Sequence, residues 1–369
     1  MMKPLAPPRR LLMGPGPSEV APEVLAAMSW PLLGHLDPAF LGIMDETAAG
    51  LREVFQTRNA LTIALPGTGT SGMEAAMANL IEPGDRVVVG SCGYFGSRLA
   101  EVARRNGAGV IVVEGPWGRA LDPEAIEKAI AGRRTKAVGV VHAETSTGVL
   151  QPIDPIARLA RESGALLIVD AVTSLGGVAV EADRAGIDLC YSCSQKCLGA
   201  PPGLSPVTVS GRGMAAIRSR KSPVRSFYLD LTLLDGYWGS GRAYHHTAPI
   251  STFYALREAL RLLLEEGLEA RFRRHVEAHR ALVAGIEAMG LKMLVPASER
   301  LPVLNTVLLP GGADEKAIRR RLLEEEGIEV GGGFGPLAGK ILRIGLMGHG
   351  ARLANVSRLI ASLRKVLGG

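Results

Sequence analysis

The sequence has few aromatic residues, few cysteines and no long run of apolar residues. No apolar stretch reaches the roughly 20 residues that a membrane-spanning helix needs, so we predict no membrane contact. Pro4, Pro7 and Pro8 fall where a secretory signal peptide requires a continuous apolar segment. The C-terminal residues do not match a peroxisomal Ser-Lys-Leu signal. We therefore expect a cytoplasmic location.

The four cysteines, at positions 92, 190, 193 and 197, do not form the pattern of a secreted disulfide scaffold. The spacing of the last three resembles a metal or iron–sulfur segment, to which Cys92 could add a fourth ligand, but spacing alone is a weak signal. A strand and a candidate catalytic lysine occupy the same stretch and leave little freedom to wrap a cluster. Small buried thiols and no metal are the preferred interpretation, and any role of Cys190, Cys193 and Cys197 stays open.

The chain carries a net charge of +6 that comes from scattered arginines. The two clusters, at 271–274 and 319–321, lie in stretches with a helical pattern. Only 4% of the residues are aromatic, and no nucleic-acid-binding motif accompanies the basic clusters. We interpret the clusters as solvated helix faces and predict no nucleic-acid partner.

The central feature is an acid at the end of one strand and a lysine shortly after the next. Residues 165–169 form an apolar run typical of a buried parallel strand, and Asp170 ends it. Residues 187–192 predict a second strand, followed by Ser194, Gln195 and Lys196. A lysine that holds an aldehyde and an acid that keeps a pyridine nitrogen protonated are what pyridoxal phosphate (PLP) requires.

Each of these two residues also has an ordinary interpretation. Asp170 could cap a helix after its strand, and Lys196 could be a solvated loop residue. Composition weighs against the second, because the chain has nine lysines and 33 arginines, so a solvated loop would more often carry arginine. The pair alone leaves PLP as one of two open alternatives.

Further strands and helices alternate through the first part of the chain. Strands are predicted at 61–65, 86–90, 110–113 and 137–142, and helices at 37–55, 73–80 and 123–131. This order indicates a mainly parallel sheet covered by helices. The glycine- and hydroxyl-rich turn at 66–72 opens a helix and could hold an anion, but it lacks the lysine of a P-loop. Farther on, a long helix with a break at Gly267 should lead into strands at 302–309 and 341–344 and helices at 315–325 and 352–366.

Several segments together resemble class V aminotransferases of the alanine–glyoxylate (serine–pyruvate) type. They are residues 11–17, the segment His142-Ala143-Glu144-Thr145-Ser146-Thr147-Gly148, residues 194–203 around the lysine, and residues 342–345. The resemblance implies an α/β fold of type I, with a seven-stranded, mainly parallel large domain and a small α/β C-terminal domain. It implies an N-terminal arm at 1–20, the large domain at 21–266 and the small domain at 267–369.

The resemblance also implies a role for individual residues. Lys196 and Asp170 would be catalytic and would bind PLP. The cofactor phosphate would be held by Gly69, Thr70 and Ser71. Phe95 would stack on the cofactor ring, and Thr145 and Gln195 would hydrogen-bond to it. Tyr244 and Thr247 would reach the cofactor of the other subunit. Gly16 and Arg343 would bind the substrate, Arg343 through the α-carboxylate.

The expected activity is transfer of the amino group of alanine or serine to glyoxylate, with pyruvate as an alternative acceptor, by a homodimer with shared active sites. Ureidoglycine–glyoxylate and aminoethylphosphonate aminotransferases remain alternatives within the class. Cysteine desulfurases and selenocysteine lyases are less favoured, because their chemistry needs a cysteine in a later loop and none follows Cys197.

Overall fold

The computed structural model describes residues 2–368. Within them the helices are α1 Pro22–Ala27, α2 Pro38–Phe55, α3 Gly69–Leu80, α4 Tyr94–Arg105, α5 Pro123–Ile130, α6 Asp154–Glu162, α7 Ala182–Ala185, α8 Gly211–Arg218, α9 Leu231–Trp238, α10 Ile250–Glu266, α11 Leu268–Glu287, α12 Glu315–Glu325 and α13 Leu353–Gly368. The strands are β1 Leu11–Leu12, β2 Leu61–Pro66, β3 Arg86–Ser91, β4 Gly109–Glu114, β5 Ala137–Val141, β6 Ala143–Glu144, β7 Val149–Leu150, β8 Leu166–Asp170, β9 Leu189–Tyr191, β10 Leu204–Val209, β11 Lys292–Met293, β12 Leu304–Leu308, β13 Ile328–Glu329, β14 Gly331–Gly332 and β15 Ile341–Gly345.

The main sheet has seven strands in the order β2-β10-β9-β8-β5-β3-β4. All run parallel except β10, which pairs antiparallel with both of its neighbours. Every residue of β5 and β8 is buried, as expected for apolar strands covered on both faces. The predicted seven-stranded, mainly parallel sheet is therefore confirmed.

Helix boundaries follow local signals where those signals exist. The carboxylate of Asp37 accepts a hydrogen bond of 2.8 Å from the Ala39 N–H and caps α2, whose first residue is Pro38. The predicted break at Gly267 separates α10 from α11. Other helices differ from the prediction: α3 begins at Gly69 instead of residue 73, and α1, α4, α6, α7, α8 and α9 were not anticipated. The glycine-rich turn therefore forms part of the first turn of α3.

A second, antiparallel sheet has the order β11-β12-β15-β14. It packs with α11, α12 and α13 around a separate apolar core that includes Leu282, Leu322, Ile344 and Leu359. The N-terminal segment belongs to this core as well, because β1 pairs in parallel with β13 and Met13 is buried beside them. The division at residues 20 and 266 stays a prediction.

No helix among residues 2–368 combines the length and the apolar content that crossing a membrane requires.

Candidate active site

A cavity of about 250 Å³ opens at the carboxyl ends of the parallel strands β5 and β8. Ligands of open α/β sheets bind at this edge, because the strands end there and the following loops form a crevice. The cavity brings together eight of the predicted site residues: Gly16, Gly69, Thr70, Phe95, Thr145, Asp170, Gln195 and Lys196.

Lys196 reaches the cavity from the loop between β9 and β10. Its Nζ donates a hydrogen bond to the carbonyl oxygen of Pro15. Burial lowers the pKa of the Lys196 ammonium, because the enclosed site disfavours its charge. Gly16 packs directly on this side chain with φ +112°, and a Cβ there would lie 2.8 Å from the lysine Nζ. Only glycine fits at this position, and it closes one side of the cavity over the lysine.

Asp170 is the last residue of β8 and is 3% exposed. One carboxylate oxygen accepts a hydrogen bond of 2.8 Å from the Tyr191 hydroxyl, and the other accepts one of 2.9 Å from the Val172 N–H. Burial nevertheless raises the pKa of Asp170 to about 6, since the two bonds only partly offset desolvation. A buried carboxyl with spare acceptor capacity that faces a cavity is suited to a cationic ligand group.

The first turn of α3 forms another wall of the cavity. Thr68 stands at the N-cap, but its side chain makes no capping hydrogen bond within the described residues 2–368. Gly69 and Thr70 therefore present backbone N–H groups and the positive end of the helix dipole to the cavity, which suits a phosphate. Ser71 lies outside the lining, and its hydroxyl donates to the Thr68 carbonyl at 2.7 Å.

Gln195 leaves its side-chain oxygen buried without a hydrogen-bond partner among the described residues. Such an atom is costly unless a ligand satisfies it. The cavity thus offers a lysine, a carboxyl for a ring nitrogen, a helix start for a phosphate and an unsatisfied oxygen for a ring substituent. This donor set fits PLP.

Arg343 lies in β15 of the second sheet and is 4% exposed. Its guanidinium donates to the carbonyls of Gly332 at 2.6 Å and Thr145 at 3.1 Å, and it lies 4.2 Å from the centre of the Phe334 ring. Burial lowers the pKa of Arg343 to about 10, so it remains charged at neutral pH. It lines a second cavity of about 610 Å³, and Gly16 lines both cavities.

Tyr244 and Thr247 lie outside the cavity of their own chain. Both are exposed, Tyr244 to 62%, whereas His245 and His246 between them are buried with their Nδ1 atoms 2.8 Å apart. The two predicted residues therefore point to the molecular surface.

Two charged residues of the site were missed from the sequence. Arg98 lines the cavity, with its guanidinium carbon 5.0 Å from the Tyr94 ring centre and 5.1 Å from that of Phe95. It lies on α4, and predicting that helix would have placed it one turn after Phe95. Glu144 is completely buried next to Thr145, inside a segment whose resemblance was recognised but whose acid was given no role.

The four cysteines are free and buried. Burial raises the pKa of Cys193 and of Cys197 to about 12, so both are neutral thiols at neutral pH. Within residues 2–368, no three or more His, Cys, Asp or Glu side chains are grouped to hold a metal ion.

Comparison with known proteins places this geometry in a family. The family model of class V aminotransferases matches residues 14–347. The chain belongs to the class V aminotransferases. Enzymes of this family use PLP, so the protein is a PLP-dependent aminotransferase, and the predicted fold, enzyme class and cofactor are confirmed.

Individual relatives cover almost the entire chain. A crystal structure of an alanine–glyoxylate aminotransferase from Nostoc sp. is 52% identical, with a TM-score of 0.98 over 100% of this chain and 97% of that one. The (S)-ureidoglycine–glyoxylate transaminase of Bacillus subtilis is 45% identical over 98% of this chain and 92% of its own length. The alanine–glyoxylate aminotransferase of Mus musculus is 43% identical over 100% of this chain and 90% of its own length.

Proposed function

We propose that this aminotransferase moves the amino group of alanine or serine to glyoxylate, with pyruvate as a second acceptor. The observation that carries the proposal is the small cavity of about 250 Å³, closed over Lys196 by Gly16, with the guanidinium of Arg343 beside it. The cavity must also hold the cofactor, so little room is left near Arg343, which suits short amino acids and short 2-oxo acids. Similarity to alanine–glyoxylate aminotransferases supports the same substrate class.

The residues of the cavity divide the work as follows. The first turn of α3 would hold the cofactor phosphate, Phe95 would stack on the ring, and Gln195 and Thr145 would bond its substituents. PLP, when bound, withdraws electrons from the substrate α-carbon. The Lys196 Nζ, with its pKa lowered by burial, would hold the cofactor and then take the proton from that α-carbon.

Asp170 and Arg343 would provide the electrostatic frame of the reaction. Asp170 would keep the ring nitrogen protonated through a buried ion pair. Arg343 would hold the α-carboxylate of donor and acceptor in turn, because its planar fork matches a carboxylate. Its existing bonds to the Gly332 and Thr145 carbonyls fix the guanidinium before substrate arrives.

We further propose a homodimer in which Tyr244 and Thr247 serve the neighbouring subunit's site. Both are exposed in the single chain, and large apolar side chains, Trp30, Leu32 and Leu36, are also exposed. His35 connects the two groups, since its ring lies 5.3 Å from that of Tyr244. An exposed apolar patch of this kind is typical of an interface between subunits.

Complementation between chains tests the shared site. Mixing a Lys196→Ala chain with a Tyr244→Ala chain should produce heterodimers with one intact site and restore part of the activity. A catalytically competent monomer in sedimentation, or no recovery at any mixing ratio, would contradict the shared site. The cytoplasmic location stays a prediction.

The substrate proposal is tested by steady-state kinetics with alanine, serine, glutamate, aspartate and aminoethylphosphonate, each with glyoxylate and with pyruvate. We expect the highest kcat/KM for alanine or serine with glyoxylate. Serine should follow alanine within about a hundredfold, because a small pocket discriminates weakly against one added hydroxyl. The highest kcat/KM for glutamate, aspartate or the phosphonate would overturn the proposal.

A second candidate donor is (S)-ureidoglycine. It is favoured by the similarity to the Bacillus subtilis transaminase and by Arg98, whose guanidinium lines the cavity without an acceptor among the described residues. Including this donor in the same panel separates the two candidates. A kcat/KM for ureidoglycine above that for alanine would assign the enzyme to the second activity.

A further inference from the structure

Helix α4 carries the proposed stacking residue Phe95 but lacks a capping residue of its own. Its N-cap is Gly93, which has no side chain, and the N–H groups of Tyr94, Phe95 and Gly96 would otherwise be unsatisfied in the protein interior. Helices usually solve this problem with Ser, Thr, Asp or Asn at the N-cap. Here the partners come from a segment about fifty residues farther along the chain.

Glu144 and Ser146 together satisfy all three N–H groups. One carboxylate oxygen of Glu144 accepts from Phe95 N at 3.1 Å and from Gly96 N at 3.3 Å. The other accepts from the Ser146 N–H at 3.0 Å and its hydroxyl at 2.6 Å. The Ser146 hydroxyl in turn accepts from Tyr94 N at 2.9 Å. The start of α4 is thus tied to the loop that carries Thr145.

The close fit explains the glycine at position 93. A Cβ on Gly93 would lie 2.6 Å from the Glu144 carboxyl carbon and would also collide with the Ser146 hydroxyl. An ordinary capping residue would therefore exclude Glu144 from this place. The sequence combines a bare N-cap with a distant carboxylate, and each is possible only because of the other.

We propose that Glu144 is a positioning residue that holds Phe95 and Thr145 in a fixed relation around the cofactor ring. The inference rests on the roles proposed above for those two residues. Phe95 is held through its own N–H, and Thr145 lies between Glu144 and Ser146, which share a hydrogen bond. The Thr145 carbonyl also accepts from Arg343, so the same loop connects the ring contacts to the proposed substrate arginine.

The ionised carboxylate is essential to this arrangement. Its two oxygens receive four donors, and a carboxylate is an acceptor only. Glutamine has the same shape but only one side-chain oxygen. Its NH2 group would therefore face either the N–H groups of α4 or the N–H and hydroxyl of Ser146. Glu144→Gln must therefore break one half of the connection while it preserves the volume of the side chain.

The test uses the full-length enzyme and the Glu144→Gln variant. We expect the dissociation constant of PLP from the variant to rise about tenfold, because hydrogen bonds to a charged group are lost at the ring-stacking residue. The visible circular dichroism of the saturated variant should change in shape, since this signal depends on ring orientation. Unchanged PLP affinity and unchanged dichroism would overturn the proposal.

Asp188→Asn provides a matched control for general destabilisation. Asp188 is also a buried carboxylate, and it accepts bonds from Leu167 N at 2.8 Å, the Ser210 hydroxyl at 3.0 Å and Arg212 Nε at 2.8 Å. It lies just before β9, at the edge of the sheet opposite the cavity. This variant should lose thermal stability but keep the dichroism of bound PLP. If Glu144→Gln merely matches it, Glu144 is structural only.

Two more variants complete the design. Ser146→Ala removes one donor to Glu144 and the partner of Tyr94 N, and it should shift the dichroism in the same direction even if Glu144→Gln fails to fold. Phe95→Leu tests the underlying site. If the dichroism changes in Phe95→Leu but not in Ser146→Ala, the proposed role of Glu144 is overturned and the stacking of Phe95 is not. If the dichroism does not change in Phe95→Leu, the proposed stacking is overturned.

Discussion

Two buried carboxylates lie near the carboxyl ends of neighbouring strands and differ in how many hydrogen bonds they receive from the chain. Asp170 ends β8 opposite Val141, the last residue of β5, and Glu144 follows β5 by three residues. Burial raises the pKa of both. Glu144 receives four hydrogen bonds from its own chain, whereas Asp170 receives two and faces the cavity.

The difference distinguishes a carboxylate that supports the walls of the site from one that is suited to bind a ligand. Glu144 is satisfied internally, so it can hold surrounding backbone in place without any ligand. Asp170 is buried and keeps spare acceptor capacity, so a cationic ligand group would stabilise its charge. Burial alone would not have separated the two; the number of internal donors does.

The largest expected effect comes from removing Lys196, the lysine that would hold PLP with its protonated ring nitrogen next to Asp170. Lys196→Ala should abolish multiple turnover, because no other lysine lines the cavity among the described residues. Borohydride treatment of the wild type, followed by peptide mass spectrometry, should find the cofactor fixed on Lys196. Normal turnover of Lys196→Ala without an added amine would refute the assignment. Lys221→Ala, at an exposed position, is the control and should behave like the wild type.

Asp170→Asn tests the ligand-binding side of the comparison directly. The amide keeps the shape and can keep the bond from Tyr191, but it cannot form an ion pair with the ring nitrogen. We expect kcat to fall by about a hundredfold, which corresponds to about 3 kcal/mol, the order of a buried charge-assisted interaction. Steady-state kinetics with saturating alanine and glyoxylate would measure it. A variant within a few-fold of wild type would make Asp170 a local cap of the Val172 N–H and nothing more.

Arg343→Lys tests the proposed substrate arginine, which is hydrogen-bonded to the Thr145 carbonyl next to Glu144. Lysine retains the charge but cannot donate to both Gly332 and Thr145 and still present a fork to a carboxylate. We expect KM to rise about tenfold for every donor, with a smaller change in kcat, because carboxylate binding is weakened in both ground and transition states. Arg364→Lys, at an exposed position on α13, serves as the control. A change confined to kcat would contradict the assignment.

The sequence predicted those elements of the fold whose signals lie within a few neighbouring residues. The strands around Asp170 are continuous apolar runs, so their existence and parallel order could be predicted. Strand β10 was missed, and its Pro206 and antiparallel direction give it a pattern unlike that of the other strands. The break at Gly267 was predictable from one residue.

The part of the site that escaped prediction depends on tertiary contacts. Helix α4 begins directly after Gly93, which has no side chain to cap it, so the start of the helix has no local sequence signature. Because the helix was missed, Arg98 was missed as well. The cap lies in Glu144 and Ser146, which only the fold brings to Gly93. Lys196 and Asp170 could be paired from the sequence because the chemistry of one cofactor demands both. Nothing comparable identifies a carboxylate whose partners are backbone N–H groups.

The smallest expected effect is a pH dependence that should separate the two carboxylates without any substrate. The pKa of Asp170 in the cofactor-free fold is about 6, against an ordinary value of 3.8. The folded state therefore binds the proton more tightly than the unfolded state, and stability falls as pH rises from about 4 to about 6. The cost of ionising Asp170 reaches about 3 kcal/mol above that range, of which about 1 kcal/mol develops between pH 5 and pH 7.

Urea denaturation of the cofactor-free protein can measure this cost. The free energy of unfolding of Asp170→Asn relative to wild type should increase by about 1 kcal/mol between pH 5 and pH 7, because asparagine does not ionise. The subtraction removes the other titrating groups, such as Glu266, where burial raises the pKa but Arg274 and Arg271 together lower it to about 2. Saturating PLP should abolish the difference, since the ring nitrogen would give Asp170 its missing partner. Parallel curves for the two cofactor-free proteins would mean that Asp170, like Glu144, is already satisfied by its own chain.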